Sequence, residues 1–429
     1  MGIDSVAIKT FNSSGSQSVC RANEADETKL IESEFLTKCT TEYINGSGMS
    51  FISGGIDIAT LKAASPSEVF ILPSDVDAIS EINLQMSLGS DASGVSSTFL
   101  LDIIKKIEIK VGNLVVQTIL PGDIYSRNLT EYGSALNINT LQPLSTSTGA
   151  ERLYPIGENI DFSLSIPFTG RSTGVNRSFL QAGAITNSLT MKVYYNSLSG
   201  ATTQHLAAGY PASITTGVCV VSHAMTSTEK NFITKNIVNR PVNTSQSIVA
   251  AIESAPTAPF TIDLSSININ VSHILLTLNN SMFKSSGISV NKPSGAAGTT
   301  WSPKVSGVMA NTDLGVAIGW LKSAELVLGN DRTGAIPGSC LATNKLELFE
   351  LTSVASKNIY VLKLAGSAFS TAGIPFSRLN NKKLILDFAT GFTVAPYTEG
   401  GDKGITNVNI TCCGTQVQST VGGTISFSA

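Results

Sequence analysis

Two stretches of this chain repeat one pattern, an alternating β-strand that ends at Gly-Asn. They occupy residues 105–115 and 322–332, and Glu108 in the first matches Glu325 in the second, a spacing of 325 − 108 = 217 residues. Gly-Asn between two β-rich runs predicts a two-residue hairpin turn in which the glycine adopts a positive φ. Each stretch is therefore predicted to be a half-buried antiparallel strand that enters a tight turn.

Neighbouring features recur in the same order in both halves of the chain. Upstream, residues 70–88 resemble residues 260–278, with Phe70 matched to Phe260. Downstream, the segment that starts at Asn159 resembles the one that starts at Asn358, and a Pro-Phe loop and a further apolar strand follow each of them. We interpret this order as a tandem duplication of one all-β domain. Chance similarity between β-rich segments is the alternative.

The length of 429 residues fits two domains of about 200 residues each. We predict an N-terminal arm over residues 1–40, a first domain over 41–221, a linker over 222–245 and a second domain over 246–429. The arm has a helical pattern at residues 27–35, and Thr226-Ser-Thr-Glu229 resembles a capping box that predicts a short helix in the linker.

Each half contains about eight short alternating segments separated by Gly, Ser, Pro and Asn clusters. This spacing predicts an all-β fold of sandwich or jelly-roll type. The first-half segments are 49–56, 69–72, 79–88, 100–111, 114–120, 160–166, 189–195 and 217–221. The second-half segments are 248–251, 260–270, 273–278, 316–328, 346–351, 359–364, 383–388 and 406–412. Long insertions at 137–159 and 283–311 are predicted to form external loops or towers.

Charged residues make up only 14% of the chain, and the net charge is −3. So few charges on a large protein indicate that partners cover much of its surface. The negative balance argues against direct nucleic-acid binding, and the pairs Lys105-Lys106 and Lys382-Lys383 are expected to be solvated strand ends. No apolar run approaches the roughly 20 residues of a membrane span.

We predict no catalytic, cofactor-binding or metal-binding residues and no cofactor. The three histidines, His205, His223 and His273, are isolated and are expected to be ordinary surface or loop residues. The six cysteines are scattered, without a C-x-x-C motif, and we expect reduced thiols. Of the eight N-x-S/T sequons, most are expected to arise by chance because serine and threonine are abundant.

Several of these segments together resemble a known family. Residues 321–332, 359–364 and 376–386 are similar to the C-terminal jelly roll of the major capsid proteins of chloroviruses and related nucleocytoplasmic large DNA viruses. Residues 100–119 resemble a strand and Gly-containing turn of the family's first roll, and residues 219–232 resemble its strand-plus-helix crossing between the two rolls. The similarity covers most of residues 45–413. The polar first 40 residues depart from the family pattern. Tectivirus-like, virophage and polinton-like lineages share the double jelly roll and are alternative sources of the chain.

The resemblance implies two tandem eight-stranded antiparallel jelly rolls (a double jelly roll) with short connecting helices. It further implies a homotrimer that forms a pseudo-hexagonal tile of an icosahedral double-stranded DNA virus shell. Expected partners are neighbouring capsomers, minor capsid proteins and an internal membrane beneath the shell. The expected location is the virion, assembled in the host cytoplasm.

Two other functions stay open at the level of sequence. One is a sugar-binding or adhesive β-sandwich protein, for which exposed aromatics such as Trp301 and Trp320 would be needed. The other is an enzyme on a jelly-roll scaffold, although no catalytic motif is present.

Overall fold

We analysed a computed structural model of the chain. It describes residues 49–55, 67–73, 76–88, 104–124, 127, 160–168, 180, 182–195, 214–223, 238–252, 256, 258–279, 321–348, 359–365, 373–388, 407–421 and 424–428. The N-terminal arm, the linker helix predicted at 226–229, both long insertions, both tryptophans and His205 lie outside the described residues.

Eight strands of the first half form two four-stranded antiparallel sheets. The strands are β1 (Met49–Gly55), β2 (Ser67–Ile71), β3 (Ala78–Leu88), β4 (Ile104–Val111), β5 (Leu114–Ile119), β6 (Ile160–Ser165), β7 (Leu189–Tyr195) and β8 (Ile214–His223). The sheet orders are β1-β8-β3-β6 and β2-β7-β4-β5. Non-sequential neighbours in both sheets, with β8 inserted between β1 and β3, are the arrangement of a jelly roll.

The second half repeats this plan with additions. Its strands are β9 (Val238–Ala251), β10 (Phe260–Asp263), β11 (Asn270–Asn279), β12 (Leu321–Leu328), β13 (Asp331–Arg332), β14 (Ile336–Pro337), β15 (Ile359–Lys363), β16 (Ile374–Pro375), β17 (Lys382–Phe388), β18 (Asn407–Val421) and β19 (Thr424–Ser428). Helix α1 (Gly338–Leu348) precedes β15. The main sheets run β9-β18-β11-β15 and β10-β17-β12-β13, and β14, β16 and β19 pair with β12, β11 and β18.

Each strand of the first roll has a counterpart in the second. The sheet β1-β8-β3-β6 corresponds to β9-β18-β11-β15, and the sheet β2-β7-β4-β5 corresponds to β10-β17-β12-β13. The predicted all-β double jelly roll is therefore confirmed, and one topology occurs twice in the chain, as the interpretation of a tandem duplication predicts. The strands alternate between an inward and an outward face. In the second roll the inward side chains form one core that includes Ile274, Leu276, Tyr360, Leu384 and Ile410.

The Gly-Asn turns lie at the same point of the two rolls. Gly112 joins β4 to β5 with φ 57°, and Gly329 joins β12 to β13 with φ 66°. Each glycine also donates its N–H to the residue just before the next strand of the sheet, Ser188 at 2.8 Å and Asn381 at 3.0 Å. A positive φ strains any residue with a Cβ, so both positions favour glycine.

The residue-by-residue equivalence differs from the one expected from sequence similarity. When the ladders are followed across each sheet from Glu108 and from Glu325, Phe70 corresponds to Ile262 rather than to Phe260. A two-residue slip keeps every side chain on its face, because the strand period is two. The matched side chains therefore still lie on the same face of the sheet.

The match between Asn159 and Asn358 is wrong by three residues, because it places Leu164 at the position of Lys363. The ladder irregularities after Ile79 and after Val271 make Leu84 correspond to Leu276. Leu84 pairs with Leu164 and Leu276 pairs with Tyr360, so Leu164 corresponds to Tyr360, and both side chains are buried. Similar strand composition permits such an error, but a slip by an odd number of residues turns the strand inside out, and core packing rejects it.

Lys382 is buried, which contradicts its expected place at a solvated strand end. Its Nζ donates to the backbone oxygens of Ile267 at 2.6 Å and Phe376 at 2.8 Å. Burial lowers the pKa of this ammonium group, while the carboxylate of Asp263 raises it. Lys383, the next residue, is exposed. Successive side chains of a strand point to opposite faces, so Lys382 is buried while Lys383 is exposed. The expectation from sequence treated the two lysines as equivalent and was wrong for Lys382.

Two predicted boundaries are also wrong. The strand expected at 346–351 is replaced in part by α1, which begins where Gly338 packs directly against the backbone oxygen of Leu321. The alternation of Leu346 and Leu348 predicted a strand, but a pattern over three residues does not distinguish a strand from the last turn of a helix. Strand β9 begins at Val238, inside the predicted linker, because it pairs with β18 along nearly the full length of that strand.

Candidate assembly surfaces

The outward face of the sheet that contains β9, β18 and β11 is buried, although it lies outside the second-roll core. Val408, Ile410 and Cys412 of β18 point into the core. The intervening residues Asn409 and Thr411 therefore point outward, yet they are only 1% and 0% exposed. The side chains on this face are mostly polar, which is typical of a contact between two surfaces rather than of a core.

A helical turn from the first roll covers this face. It follows β5, with Pro121 in the first helical position, where the missing N–H costs nothing. The carboxylate of Asp123 accepts the backbone N–H of Leu120 at 3.0 Å, as the third residue of a capping box does. We call the contact of residues 120–124 and 127 with the outward face of β9, β18 and β11 the inter-roll joint.

Asp123 connects the two rolls at the centre of the joint. Its Oδ1 accepts a hydrogen bond from the Thr411 hydroxyl at 2.5 Å, and Asp123 is 1% exposed. Burial raises the pKa of the carboxyl, and the hydrogen bonds from Thr411 and Leu120 and the charge of Arg127 act in the opposite direction. These hydrogen bonds and the charge of Arg127 offset part of the free-energy cost of burying the Asp123 carboxylate.

His273 of β11 lies in the same joint, which corrects its expected place on the surface or in a loop. It is 4% exposed, and its Nδ1 lies 2.9 Å from the Ser272 hydroxyl. Burial, and secondarily the charge of Arg127, lowers the pKa of the imidazole to about 3. Arg127 itself is buried, and its Nη1 donates to Ser245 Oγ at 3.4 Å. No local signal in the sequence marks His273, because the element that buries it comes from the other roll.

Gly122 sets the closest approach of the joint. A Cβ added to this residue would fall 2.2 Å from Asn409 Nδ2 and 2.5 Å from Asn409 Cγ. The Asn409 side chain is buried, so little room exists for it to move. The glycine therefore allows the first-roll backbone to reach the second-roll sheet. Asn409 begins one of the sequons, and its burial makes it inaccessible as a glycan acceptor in the folded chain.

The corresponding face of the first roll is less buried at its described residues. On β3, Leu84 and Met86 point into the core and are buried. The outward positions between and beside them are Glu81, which is exposed, and Asn83 and Gln85, which are half-buried. The outward positions of β11, by contrast, are buried along the strand. One chain thus carries two equivalent faces, and at the described residues the second is the more completely buried.

The outward face of the other first-roll sheet carries a cluster of lysines. We call it the lysine face and define it by Lys106, Glu108, Lys110, Lys192 and Tyr194. Lys106 Nζ lies 2.5 Å from Glu108 Oε1, and Lys110 Nζ lies 3.0 Å from Glu108 Oε2. The Tyr194 hydroxyl donates to Glu108 Oε2 at 2.9 Å, and Lys106 and Lys192 lie 4.5 and 4.6 Å from the centre of the Tyr194 ring.

Glu108 is held as a carboxylate by this cluster. Burial alone would raise its pKa, but hydrogen bonds from Lys106, Lys110 and Tyr194 outweigh burial and lower the pKa to about 2. In the second roll, the matching Glu325 is bound instead by Arg332, with Nε–Oε1 at 2.7 Å and Nη2–Oε2 at 3.0 Å. The duplicated glutamate therefore keeps a cationic partner, although the partner differs.

The other titratable and thiol side chains in the described part of the chain do not cluster into a site. No group of three or more His, Cys, Asp or Glu side chains there could hold a metal ion, and no helix there is long and apolar enough to cross a membrane. Cys219, Cys412 and Cys413 are buried free thiols, and burial raises the pKa of Cys219 and Cys412. Cys340 on α1 is an exposed free thiol.

Two jelly rolls in tandem, joined by a polar contact, define a double jelly-roll protein. The fold is similar to that of VP54 of PBCV-1, a crystal structure that was fitted into a cryo-EM reconstruction of the virophage Sputnik. The alignment covers 89% of this chain and 96% of that one, with a TM-score of 0.63 and 14% sequence identity. A chain of a quasi-atomic model of the PBCV-1 virus capsid gives the same values.

The Faustovirus major capsid protein aligns over 93% of this chain and 99% of its own, with 10% identity and a TM-score of 0.46. No family model and no curated protein sequence matches the chain. At 14% identity the similarity to the PBCV-1 structures establishes the fold.

Proposed function

We propose that this protein is the major capsid protein of an icosahedral double-stranded DNA virus and that three copies form a pseudo-hexagonal capsomer. The observation that carries the proposal is the pair of equivalent sheet faces. Residues 120–124 and Arg127 of the first roll cover the face of the second roll, whereas on the equivalent first-roll face Glu81 is exposed and Asn83 and Gln85 are half-buried. The similarity in fold to a chain of the PBCV-1 virus capsid supports the same role.

A joint of this kind is heterologous, because a helical turn on one roll meets a sheet face on another. Heterologous contacts repeat from copy to copy and form a closed ring when the rotation between units closes. In the second roll, the connection that corresponds to residues 120–127 contains α1, with Ser339, Cys340 and Thr343 exposed. We propose that α1 of one copy covers the accessible first-roll face of the next, so that three chains present six rolls in a ring.

The capsid role carries further proposals about partners and location. Neighbouring capsomers and minor capsid proteins would contact the outer surfaces of the trimer, and a membrane could lie beneath the shell. The protein would reside in the virion after assembly in the host cytoplasm. The net charge of −3 supports a shell subunit that does not bind nucleic acid directly. We propose no enzymatic activity, since the joint buries His273 and its neighbouring thiol Cys413 away from any substrate.

Cross-linking tests the proposed ring. In an Asn83→Cys variant in which Cys20 and Cys39 are replaced by serine, a short bis-maleimide should link Cys340 of one copy to position 83 of the next. The expected products are covalent dimers and trimers, and the native mass should be three times 44.9 kDa. Adding Cys340→Ser should abolish the cross-link.

A matched control places the new thiol at Thr261, an exposed position on the other sheet of the second roll, which should not react with Cys340 of a neighbour. A stable monomer at micromolar concentration would overturn the trimer. A trimer that cross-links equally through position 261 would keep the assembly but overturn the proposed contact.

A further inference from the structure

The exposed apolar side chains of the described residues are concentrated beside the lysine face. Four large hydrophobic residues are exposed, and all lie on β2 or β5 of the same sheet: Val69, Ile71, Leu114 and Val115. Val69 and Ile71 are 57% and 67% exposed. The ladder places Ile71, Thr190, Lys110 and Val115 in one row across the sheet, so their side chains share the outward face.

The lysine face is positively charged within a negatively charged chain. Lys106, Lys110 and Lys192 contribute +3 and Glu108 contributes −1, which gives +2, whereas the whole chain carries −3. Lys105 adds an exposed cation at an irregularity in the β4 ladder.

Glu68 of β2 does not reduce this charge. Its carboxylate turns into the roll, where it accepts hydrogen bonds from Tyr195 at 2.8 Å and Thr216 at 2.9 Å. The surface is thus cationic in the middle with apolar side chains along its edges. Such a surface fits an acidic segment that also carries apolar side chains.

The N-terminal arm contains a segment of that composition. Residues 24–36 read Glu-Ala-Asp-Glu-Thr-Lys-Leu-Ile-Glu-Ser-Glu-Phe-Leu, with five carboxylates and one lysine, a net charge of −4. The same segment includes Leu30, Ile31, Phe35 and Leu36, and the first three fit one face of the helix predicted at residues 27–35.

The arm joins the first roll at Met49, the start of β1. β1 belongs to the other sheet of this roll and contacts β2, the strand that carries Val69 and Ile71. The 12 residues between Leu36 and Met49 can span about 40 Å when extended. A tether of this length holds the segment at millimolar effective concentration, so weak contacts suffice for docking.

We propose that residues 24–36 dock as an acidic amphipathic helix on the lysine face of the same chain. The carboxylates meet Lys105, Lys110 and Lys192, and the apolar side chains cover Val69 and Ile71. This inference concerns the arm of a single chain and does not depend on the capsid role.

Hydrogen–deuterium exchange on the full-length protein tests the docking. An isolated helix of about ten residues is marginal in water, so protection of its amides requires a tertiary contact. We expect amides 28–36 to exchange at least tenfold more slowly than in an unstructured peptide of the same sequence. In the Lys192→Glu and Ile71→Ser variants this protection should be lost.

The matched control is Lys383→Glu, which reverses an exposed lysine on the corresponding strand of the second roll and should leave the protection unchanged. A zero-length carbodiimide cross-linker should join acidic residues of 24–34 to Lys105, Lys110 or Lys192 within one chain. Full-rate exchange in the wild type, or equal protection in Lys192→Glu, would overturn the proposal. Cross-links from these lysines to carboxylates of another copy would overturn it in favour of a subunit interface.

Discussion

Acidification should destabilise this protein through His273, and the direction follows from its burial in the inter-roll joint. The pKa of the imidazole is lowered from 6.5 to about 3 in the folded chain, by burial first and by Arg127 second. The unfolded chain therefore takes up a proton at a higher pH than the folded chain does. The stability that depends on neutral His273 is present above pH 6.5 and is lost as the pH falls from there towards 3.

The size of the effect can be worked out from these two pKa values. Between pH 7 and pH 5, the unfolded state becomes mostly protonated at this residue while the folded state stays neutral. With about 1.4 kcal/mol per pKa unit, proton uptake by the unfolded state lowers the free energy of unfolding by about 2 kcal/mol over this interval. The raised pKa of Asp123 acts in the opposite direction, so the comparison must isolate His273.

A His273→Gln variant provides this comparison, because Asp123 and Arg127 are present in both proteins. Urea unfolding followed by far-UV circular dichroism at pH 7 and pH 5 gives the change in free energy of unfolding for each. The wild type should lose about 2 kcal/mol more than the variant. If the two proteins lose the same amount, His273 is not buried as described, and the account of the joint is wrong.

Three further predictions concern the glycines and the absence of a cofactor. Gly122→Ala should lower the free energy of unfolding by about 1–3 kcal/mol, because the added Cβ would overlap Asn409. Urea unfolding midpoints should fall further in this variant than in Gly329→Ala, where the Cβ has open space and only the positive φ is unfavourable. Gly338→Ala should reduce the helical circular dichroism signal, because its Cβ would lie 1.9 Å from the Leu321 oxygen; an unchanged spectrum would contradict the start of α1. A strong chelator should leave the melting temperature unchanged, and a drop of several degrees would reveal a metal site.

Much of the architecture followed from patterns that are local in the sequence. Alternation identified most strands, and the Gly-Asn pairs at 112–113 and 329–330 marked equivalent hairpin turns. These features are readable because strand period and turn conformation depend on neighbouring residues. The repeated plan could be recognised for the same reason, since both rolls keep the order of their strands.

Register and boundaries were harder to predict, as the equivalence of Leu164 with Tyr360 and the start of α1 illustrate. Two strands of similar composition can be aligned with an error of an odd number of residues, and only the pairing across the sheet shows which side chains face the core. The burial of Lys382 had a related origin, because one of the carbonyl oxygens that bind its Nζ, that of Ile267, lies 115 residues away in the chain.

The sequence by itself determined the fold class, the two-domain plan and the shortage of charge that points to extensive partner contacts. Tertiary structure alone decided which of two equivalent sheet faces is covered, and thereby the environment of Asp123, Arg127 and His273. Strand alternation and turn conformation depend on only a few neighbouring residues, so both can be predicted from local sequence. Burial of a polar face depends on a helical turn almost 290 residues away from Thr411, and no local pattern encodes that contact.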